Sequence, residues 1–466
     1  MFVYNRYRLG KIKLDYGGLD FRSWSIYMNL TNHNGFIALE GISLNDFTTN
    51  IGYACLTVGV PETKQRTCMM KNASKDVLMS LIQSNLESLD KMLDYNIQNG
   101  IKLLRISSGI IPFGSHVIND LRWWKIFDES FKVIGNKALK NGIRLSMHPG
   151  QYTVLNSPDE VVIERAVADL RYHTRVLDTM GLGTQHKIIL HVGGIYGDKT
   201  TAIKRFIEQY SCLDANIQHR LVIENDDRQY TIADVLSIGE SECIPVVFDN
   251  LHHQVNPENT RSEIEWISAC RNTWKTQDGR QKLHYSQQDE DKRMGAHSST
   301  LDIGEFLQFY KSLQKWDVDI MVEVKDKNLS AIKCINAIAS PKIQRLENEW
   351  ARYKYLVLER SLKKYNEIRQ LLKDKSAYPV SEFYRLIDDA MNTQVTVGNA
   401  VNAAQHVWGY VNDLADEKEC RSFKMNLDKI SKGGSTATMK RQLWKLANVQ
   451  QQKYLLDSLY FIGVNV

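Results

Sequence analysis

Several features are scarce in this sequence of 466 residues, and each scarcity excludes a class of protein. There are only 8 prolines and no repeated or low-complexity segment, which argues against a disordered or fibrous chain. No run approaches about 18 apolar residues, and charged residues stand where a signal peptide needs an apolar core. The seven cysteines are scattered, without the close pairs of zinc ribbons or redox motifs. We therefore expect a folded protein with reduced thiols that is neither secreted nor membrane-spanning.

Positive charge is concentrated near the C-terminus. Residues 341–466 contain 20 Lys and Arg against 14 Asp and Glu, whereas the preceding residues contain 39 basic and 40 acidic side chains. A basic appendage suits a polyanionic partner, although solvated helical surfaces are often equally basic. Charge alone therefore leaves nucleic-acid binding as one option among others.

Short β-branched apolar runs alternate with amphipathic helical patterns between residues 51 and 335. Eight such alternations over this length are typical of an α/β protein with a (β/α)₈ TIM barrel, whose strands are buried on both faces. The eight runs are IGYACLTV (51–58), IKLLRIS (101–107), IRLSMH (143–148), KIILHV (187–192), RLVIEN (220–225), IPVVFD (244–249), QKLHYS (281–286) and VDIMVEV (318–324).

The remaining segments predict two additions to the barrel, which we place at residues 51–340. Residues 1–50 contain alternating stretches that predict a small β hairpin or a lid over one barrel end. Residues 341–466 are helical and charged in pattern, which predicts an appended α-helical C-terminal domain. That domain either grips DNA or only packs on the barrel, and the second is favoured because Lys and Arg are the ordinary surface of amphipathic helices.

Metal-binding residue types stand at the carboxyl ends of the predicted strands. In a TIM barrel these ends converge on one mouth, where the active site is built. Six of the 12 histidines fall at the strand ends or in the loops just beyond them, which packing alone does not explain. The predicted ligands are His116, His148, His191, Glu224, Asp249, His252, His284, His297 and Glu323.

This mixture of imidazole and carboxylate favours some metals over others. It suits Mn²⁺, Zn²⁺ or Fe²⁺ better than the all-oxygen sites preferred by Mg²⁺ and Ca²⁺. Nine candidates exceed the needs of one tetrahedral ion, so we expect two or three ions that share bridging carboxylates. Such clusters stabilise both the attacking and the leaving oxygen of a phosphodiester.

Seven segments occur in order along the barrel region, and they are RISSGIIPFGSH (105–116), HPGQYTVLNSP (148–158), RYHTRVLDTMGL (171–182), HVGGIYGDK (191–199), RLVIENDDRQYT (220–231), IPVVFDNLHH (244–253) and KLHYSQQ (282–288). Their order and content resemble the ultraviolet damage endonuclease family, over most of residues 51–335. The resemblance implies a DNA-repair endonuclease on a barrel related to endonuclease IV and xylose isomerase. It also implies a nick in double-stranded DNA immediately 5′ of cyclobutane pyrimidine dimers, 6-4 photoproducts and some other lesions.

The resemblance assigns the same nine metal ligands, with Glu224 as a bridge between ions. It implies a site of three ions, for which we expect Mn²⁺, with Zn²⁺, Co²⁺ or Mg²⁺ as alternatives and no organic cofactor. Glu224, Lys282 and His284 are the predicted catalytic residues, and the products carry 3′-hydroxyl and 5′-phosphate ends. Lys282 matches a lysine that can be carboxylated in the family; the alternative is an inward-pointing barrel lysine paired with a carboxylate.

The resemblance also assigns contacts with damaged DNA. Gln151 and Tyr152 match a pair inserted into the duplex at the lesion, where an aromatic ring can stack in place of displaced bases. Tyr53 matches a tyrosine near the damaged nucleotides. The segment after the first strand, TVGVPETKQRTCMM, resembles the family only loosely. We expect a monomer in the bacterial cytoplasm, or in the nucleus of a eukaryote.

Three other functions fit parts of the pattern. An abasic-site endonuclease of the endonuclease IV type would use similar ligands but prefer a missing base. A metal-dependent sugar isomerase would need fewer imidazoles and would not explain the basic appendage. A lesion-binding protein without activity would have no use for nine convergent ligands.

Overall fold

The computed structural model of the chain describes residues 49–313 and 316–464. The hairpin or lid predicted for residues 1–50 lies outside the described residues, apart from its last two positions. The boundary predicted at residue 341 falls between two helices, the first ending at Ile338 and the second beginning at Ile343.

Eight short parallel strands form a closed barrel in sequence order. Closure is made by the pairing of the first and last strands, in which Ile51 lies opposite Ile320. The predicted TIM barrel is therefore confirmed. The strands are β1 (Asn50–Ala54), β2 (Leu103–Ile106), β3 (Arg144–Met147), β4 (Ile188–His191), β5 (Leu221–Glu224), β6 (Val246–Asp249), β7 (Gln281–Tyr285) and β8 (Val318–Val322).

Helices surround the barrel and continue after its last strand. Those of the barrel are α1 (Lys75–Gln98), α2 (Trp123–Ile126), α3 (Asp128–Lys140), α4 (Glu160–Thr179), α5 (Lys199–Ser211), α6 (Ala215–Gln218), α7 (Ile232–Glu242), α8 (Asn250–Val255), α9 (Glu263–Arg271), α10 (Ile303–Ser312) and α11 (Asn328–Ile338). The C-terminal helices are α12 (Ile343–Arg360), α13 (Leu362–Leu371), α14 (Val380–Met391), α15 (Val397–Trp408), α16 (Glu417–Ser431), α17 (Ala437–Val449) and α18 (Lys453–Leu456). Among the described helices, none combines the length and the apolar character that crossing a bilayer requires.

Apolar packing under the helices, and a mixture of apolar and polar side chains inside the barrel, surround the strands. The residues of β3 and of β5 to β8 are all buried, as expected for strands covered by helices on one side and by the barrel interior on the other. The lower end of the interior is closed by Arg144, which donates to Asp319 Oδ2 at 2.7 Å and to the carbonyl of Gln185 at 2.6 Å. The side chains predicted to bind metals lie at the opposite, C-terminal mouth.

The C-terminal helices share one apolar core with the barrel and add a second. Leu346, Tyr353 and Phe383 belong to the same core as the barrel residues, whereas Leu358 and Leu443 belong to a separate core among the later helices. Helix α12 contributes to both and is therefore the element that joins the C-terminal helices to the barrel.

Candidate metal centre

Strand register places the predicted ligands at one level of the mouth. In the pairing of β4 with β5, His191 lies opposite Glu224, and in that of β6 with β7, Asp249 lies opposite His284. Because the four strands are neighbours in a closed barrel, these side chains face a common space.

Glu224 lies at the centre of this space and is 1% exposed. Its Oε2 lies 3.1 Å from His284 Nδ1 and 3.5 Å from His148 Nε2, and its Oε1 lies 3.3 Å from His252 Nδ1. Two groups of ligand atoms meet at this carboxylate, one with His148 and His191 and the other with Asp249 and His284. Within each group the atoms lie within 4.8 Å of one another. A carboxylate common to two groups is suited to bridge two ions.

The donor set fits divalent metal ions. Buried polar atoms ordinarily have hydrogen-bond partners, and an exception calls for a reason such as an ion. Imidazole and carboxylate donors are also the ligand types of Mn²⁺ and Zn²⁺. The buried atoms here that have no hydrogen-bond partner among the described residues are His191 Nδ1, Glu224 Oε2, Asp249 Oδ2, and both ring nitrogens of His284.

Burial and neighbouring charges shift two of these groups toward the form that binds metals. Burial lowers the pKa of His191 to about 4, so the ring is uncharged at neutral pH and can offer a lone pair. Burial alone would raise the pKa of Glu224, but His284 and His148 beside it hold that pKa well below its ordinary value. The carboxylate is therefore ionised, which is the form that binds metals.

Backbone contacts orient two of the imidazoles. His148 Nδ1 lies 3.0 Å from the carbonyl of Pro149, and His252 Nδ1 lies 2.9 Å from the carbonyl of Asn225. A hydrogen bond from one ring nitrogen fixes the tautomer and leaves the other as the ligand atom. Asn225 also holds Asp249 in place, because its side chain accepts from the amide of Asp249 at 2.9 Å and donates to its carbonyl at 3.1 Å.

Two further predicted ligands extend the cluster toward β8. Glu323 Oε1 lies 3.2 Å from His284 Nδ1 and forms an ion pair with Arg105 on β2. His297 contacts the backbone carbonyl of Glu323 through Nδ1. His116 is exposed, accepts a hydrogen bond from the amide of Ile118 at 3.1 Å, and lines the open cleft above the cluster. The structure therefore brings seven predicted ligands into one cluster, with His297 beside it and His116 at its rim.

Lys282 lies beneath the cluster, inside the barrel. It is fully buried, its Nζ has no hydrogen-bond partner among the described residues, and it pairs in register with Asp319. Burial lowers its pKa well below the usual value, and Arg144 and Arg105 lower it further. Lys282 thus faces the barrel interior beside Asp319, and both the carboxylated lysine and the lysine paired with a carboxylate stay predictions.

An open cleft of about 1390 Å³ leads from the cluster to the surface. Gln151 and Tyr152 line it on the turn that follows β3, and the Tyr152 side chain is 82% exposed. This turn is anchored by Thr153, whose hydroxyl donates to Asp169 at 2.7 Å, and by Asn156, which donates to the carbonyl of Gly194 at 2.7 Å. An exposed aromatic ring on a fixed turn is accessible to a bound duplex.

The position of Tyr53 corrects the predicted contact with damaged nucleotides. Its side chain is fully buried between β1 and α1, where the hydroxyl donates to Asn96 at 3.0 Å and lies 2.7 Å from the Thr57 hydroxyl. Successive strand residues point to opposite faces, and at this position the outward face packs on a helix. Tyr53 can therefore influence DNA only through the loop that contains Thr57.

Sequence reasoning missed two residues of the site. Arg105 is the one charged residue within the strand LLRI, which was the available signal, and it pairs with Glu323. Tyr196 lines the cleft, is 47% exposed, and has a left-handed backbone with φ of 47°. A bulky residue in that conformation is strained, and such strain concentrates at functional sites. The segment GGIYG around Tyr196 gave no indication that its ring would face the cleft.

Comparisons with known proteins agree with this geometry. Residues 49–354 match the family model described as UV-endonuclease UvdE, and residues 354–462 match a model described as a protein of unknown function, DUF1722. The chain is similar to a UV DNA damage endonuclease of Clostridium perfringens, with 39% identity over 82% of this chain and 96% of the relative. It is also similar to one of Bacillus cereus strain G9842, with 34% identity over 58% of this chain and 86% of the relative.

A solved structure supports the same assignment. The crystal structure of SacUVDE matches with a TM-score of 0.60 and 37% sequence identity, and the match covers 62% of this chain and 98% of that one. The sequence similarity includes the segments that supply the clustered histidines and carboxylates. The chain therefore belongs to the UV-endonuclease UvdE family and is a DNA endonuclease.

Proposed function

We propose that this protein nicks double-stranded DNA immediately 5′ of cyclobutane pyrimidine dimers, 6-4 photoproducts and some other lesions, and leaves 3′-hydroxyl and 5′-phosphate ends. The observation that carries the proposal is Glu224, a buried carboxylate common to two groups of metal-competent side chains at the base of a cleft. Membership of the UV-endonuclease family supplies the substrate class.

The proposed cofactor is a cluster of two or three divalent ions, with Mn²⁺ as the preferred metal. The residues that would hold them are His116, His148, His191, Glu224, Asp249, His252, His284, His297 and Glu323. Bound ions of this kind supply Lewis acidity, which activates water and stabilises negative charge on phosphate oxygens. The protein contributes fixed orientation, because the rings of His148 and His252 are held by backbone carbonyls and Asp249 is held by Asn225.

Lys282 supports a cluster with more than one ion. Its buried amine has no hydrogen-bond partner among the described residues and lies two positions before His284 on the same face of β7. We propose that this amine, when uncharged, adds CO₂ and loses one proton to form a carbamate, which would convert an unpaired buried donor into an anionic ligand. An intact-mass measurement under native conditions tests this, because carboxylation adds about 44 Da and is absent from Lys282→Met.

Lesion recognition is proposed to rest on local weakness of the duplex. A damaged step is already poorly stacked, so displacing its bases costs a few kcal/mol less than displacing normal ones. Tyr152 would stack in the opened step, and Gln151 beside it would hydrogen-bond the bases left without partners. This arrangement favours lesions that differ in chemistry but share weak stacking.

Cleavage of an end-labelled duplex with one cyclobutane thymine dimer tests the proposal. The reaction is run with Mn²⁺ and with a chelator, beside undamaged and abasic duplexes. We expect a chelator-sensitive nick immediately 5′ of the dimer. Cleavage of the abasic duplex alone would instead indicate an abasic-site endonuclease, and chelator-resistant cleavage would contradict the metal proposal.

A further inference from the structure

The loop between β1 and α1, residues 55–74, borders the mouth of the barrel. Loops that follow barrel strands form the active-site face. Exposed basic and apolar side chains share this loop, and they are Lys64, Arg66, Lys71, Leu56, Met69 and Met70. Basic groups suit phosphates and exposed apolar groups suit unstacked bases, so the composition fits a DNA-contacting rim.

A buried amide holds the start of this loop. Asn328, the first residue of α11, is fully buried and accepts from the amide of Val58 at 2.6 Å through Oδ1. Its Nδ2 lies 3.1 Å from the carbonyl of Val58 and 2.9 Å from the hydroxyl of Tyr95 on α1. The amide and the carbonyl of Val58 are thus both hydrogen-bonded, as they would be in a sheet. Their partner, however, is the side chain of Asn328, which follows β8 in the sequence.

The C-terminal helices complete this contact. Arg352 on α12 donates to the same Tyr95 hydroxyl at 3.1 Å and pairs with Glu349 at 2.8 Å. The Tyr95 hydroxyl therefore connects Asn328, which holds Val58, with Arg352 on α12.

The last described turn of the chain packs directly on the loop. Gly59 has a left-handed backbone, with φ of 78°, and a β-carbon added there would lie 3.2 Å from Leu459 Cδ2 and 3.5 Å from Ile462 Cγ1. The hydroxyl of Ser458, next to this turn, donates to the carbonyl of Arg352 at 3.4 Å. One part of the C-terminal region therefore packs on the loop itself, and another, about a hundred residues earlier in the sequence, reaches Tyr95, which bonds the Asn328 side chain that holds Val58.

We propose that the C-terminal helical region, here residues 343–462, is a brace that holds the β1–α1 loop as a DNA-contacting rim of the barrel mouth. On one side of the loop, Arg352 acts through Tyr95 and Asn328. On the other side, Leu459 and Ile462 pack directly on Gly59. The DNA part of this inference rests on the proposed function, whereas the bracing itself does not.

Hydrogen exchange of the 466-residue chain tests the bracing, because the Val58 amide is protected only while its hydrogen bond to Asn328 is formed. Tyr95→Phe removes the shared hydroxyl, and Ile462→Ala removes the contact on Gly59. The matched controls are Tyr378→Phe, which loses a 2.7 Å hydrogen bond to the Asn336 carbonyl, and Leu427→Ala, which removes a partly buried side chain from the second core. We expect the peptide over residues 56–63 to exchange roughly fivefold faster in the first pair only.

Binding and cleavage of the dimer-containing duplex test the rim. The two brace variants should raise KM about fivefold with little change in kcat, since only substrate contacts are loosened. Replacing Lys64, Arg66 and Lys71 together by Ala should reduce the salt dependence of binding by up to about 0.9 log units per log unit of salt for each lost phosphate contact.

Each outcome decides one part of the inference. Unchanged exchange in both brace variants, or equal loosening in the controls, would overturn the brace. Faster exchange with unchanged DNA affinity and salt dependence would overturn the rim. Failure of the wild type to nick damaged DNA would count against the proposed function, and the exchange comparison would remain a test of the brace.

Discussion

His284 Nδ1 lies 3.1 Å from Oε2 of Glu224 and 3.2 Å from Oε1 of Glu323, with all three side chains largely withdrawn from solvent. One imidazole is thus in contact with a carboxylate at the end of β5 and with another directly after β8. Such crowding of acidic groups is costly unless positive charge compensates it. Burial opposes a charge on His284, but Glu224 and Glu323 raise its pKa, and Arg105 pairs with Glu323. Bound cations would supply further positive charge in the active enzyme.

Glu224→Gln tests this balance at the carboxylate shared by both ligand groups. The substitution keeps the shape of the side chain but removes the charge that bridges two ions. We expect cleavage of the dimer duplex to fall by more than about a hundredfold, beyond the usual effect of losing a group that only orients a ligand. Metal content should fall in parallel, as measured by elemental mass spectrometry on purified protein.

The control for Glu224→Gln is Glu265→Gln, which changes an exposed glutamate in the cap of α9. It should retain both metal and activity. Normal cleavage by Glu224→Gln at full metal occupancy would show that the shared carboxylate is not a bridge.

Truncating the two side chains on the exposed turn that lines the cleft should weaken the binding of damaged DNA more than it slows cleavage of the bound duplex. The double substitution Gln151→Ala and Tyr152→Ala affects side chains that line the cleft and carry little of the fold. Stacking of one base on an aromatic ring is worth about 1–3 kcal/mol, so KM for damaged duplex should rise roughly 5- to 150-fold. Metal content should be unchanged.

Tyr152→Phe separates stacking from hydrogen bonding at the same position. Because it retains the ring, it should keep most of the preference for damaged over undamaged duplex. A loss of preference as large as that of Tyr152→Ala would locate the interaction in the hydroxyl and contradict the stacking role.

The fold was predictable because most of the strand runs have a histidine or a carboxylate at or near their end. Runs such as RLVIEN and IPVVFD combine an apolar stretch with a terminal carboxylate, so periodicity and chemistry indicate the same boundary. The convergence of His191, Glu224, Asp249 and His284 followed from barrel topology alone. Their pairing in register, however, depends on the stagger of neighbouring strands, which no single strand specifies.

Other features depended on packing that sequence does not reveal. Tyr53 is one residue from the inward-facing Gly52 and Ala54, and the difference of one position turns its ring toward α1 rather than toward DNA. The contact of Ile462 with Gly59 joins residues about four hundred positions apart, and no local pattern marks it. Long-range contacts of this kind decide how the C-terminal region serves the barrel.

A buried histidine at the base of the barrel should make stability depend on pH. His186 accepts from the amide of Leu145 at 2.9 Å through Nδ1. Burial, followed by the charges of Arg144 and Arg220, lowers its pKa from 6.5 to about 3. Between about pH 6.5 and pH 3 the unfolded chain therefore binds a proton at His186 that the folded protein does not bind. The free energy of unfolding contributed by the neutral ring is present above pH 6.5 and is lost as the pH falls toward 3.

His186→Asn retains an acceptor for Leu145 but does not titrate. Urea unfolding between pH 7 and 4 should show the free energy of unfolding of the wild type falling more steeply than that of the variant. The difference in slope should approach about 1.4 kcal/mol per pH unit, the value for one proton. Parallel slopes would show that His186 is protonated in the folded protein or that its surroundings relax on titration.

The ion pair of Lys440 with Glu359 provides a test of stability within the C-terminal helices. Nζ and Oε2 are 2.5 Å apart, and the two side chains are 9% and 3% exposed. Removing one partner leaves the other as an unpaired buried charge, so Glu359→Leu or Lys440→Met alone should lower the free energy of unfolding by about 3–5 kcal/mol. The double variant removes both charges and replaces them with apolar groups of similar size, so it should lie close to the wild type. Chemical unfolding of all four proteins at one pH measures this. A double variant destabilised by the sum of the two single changes would show no energetic coupling between Lys440 and Glu359, and would contradict the cost assigned to the unpaired buried charge.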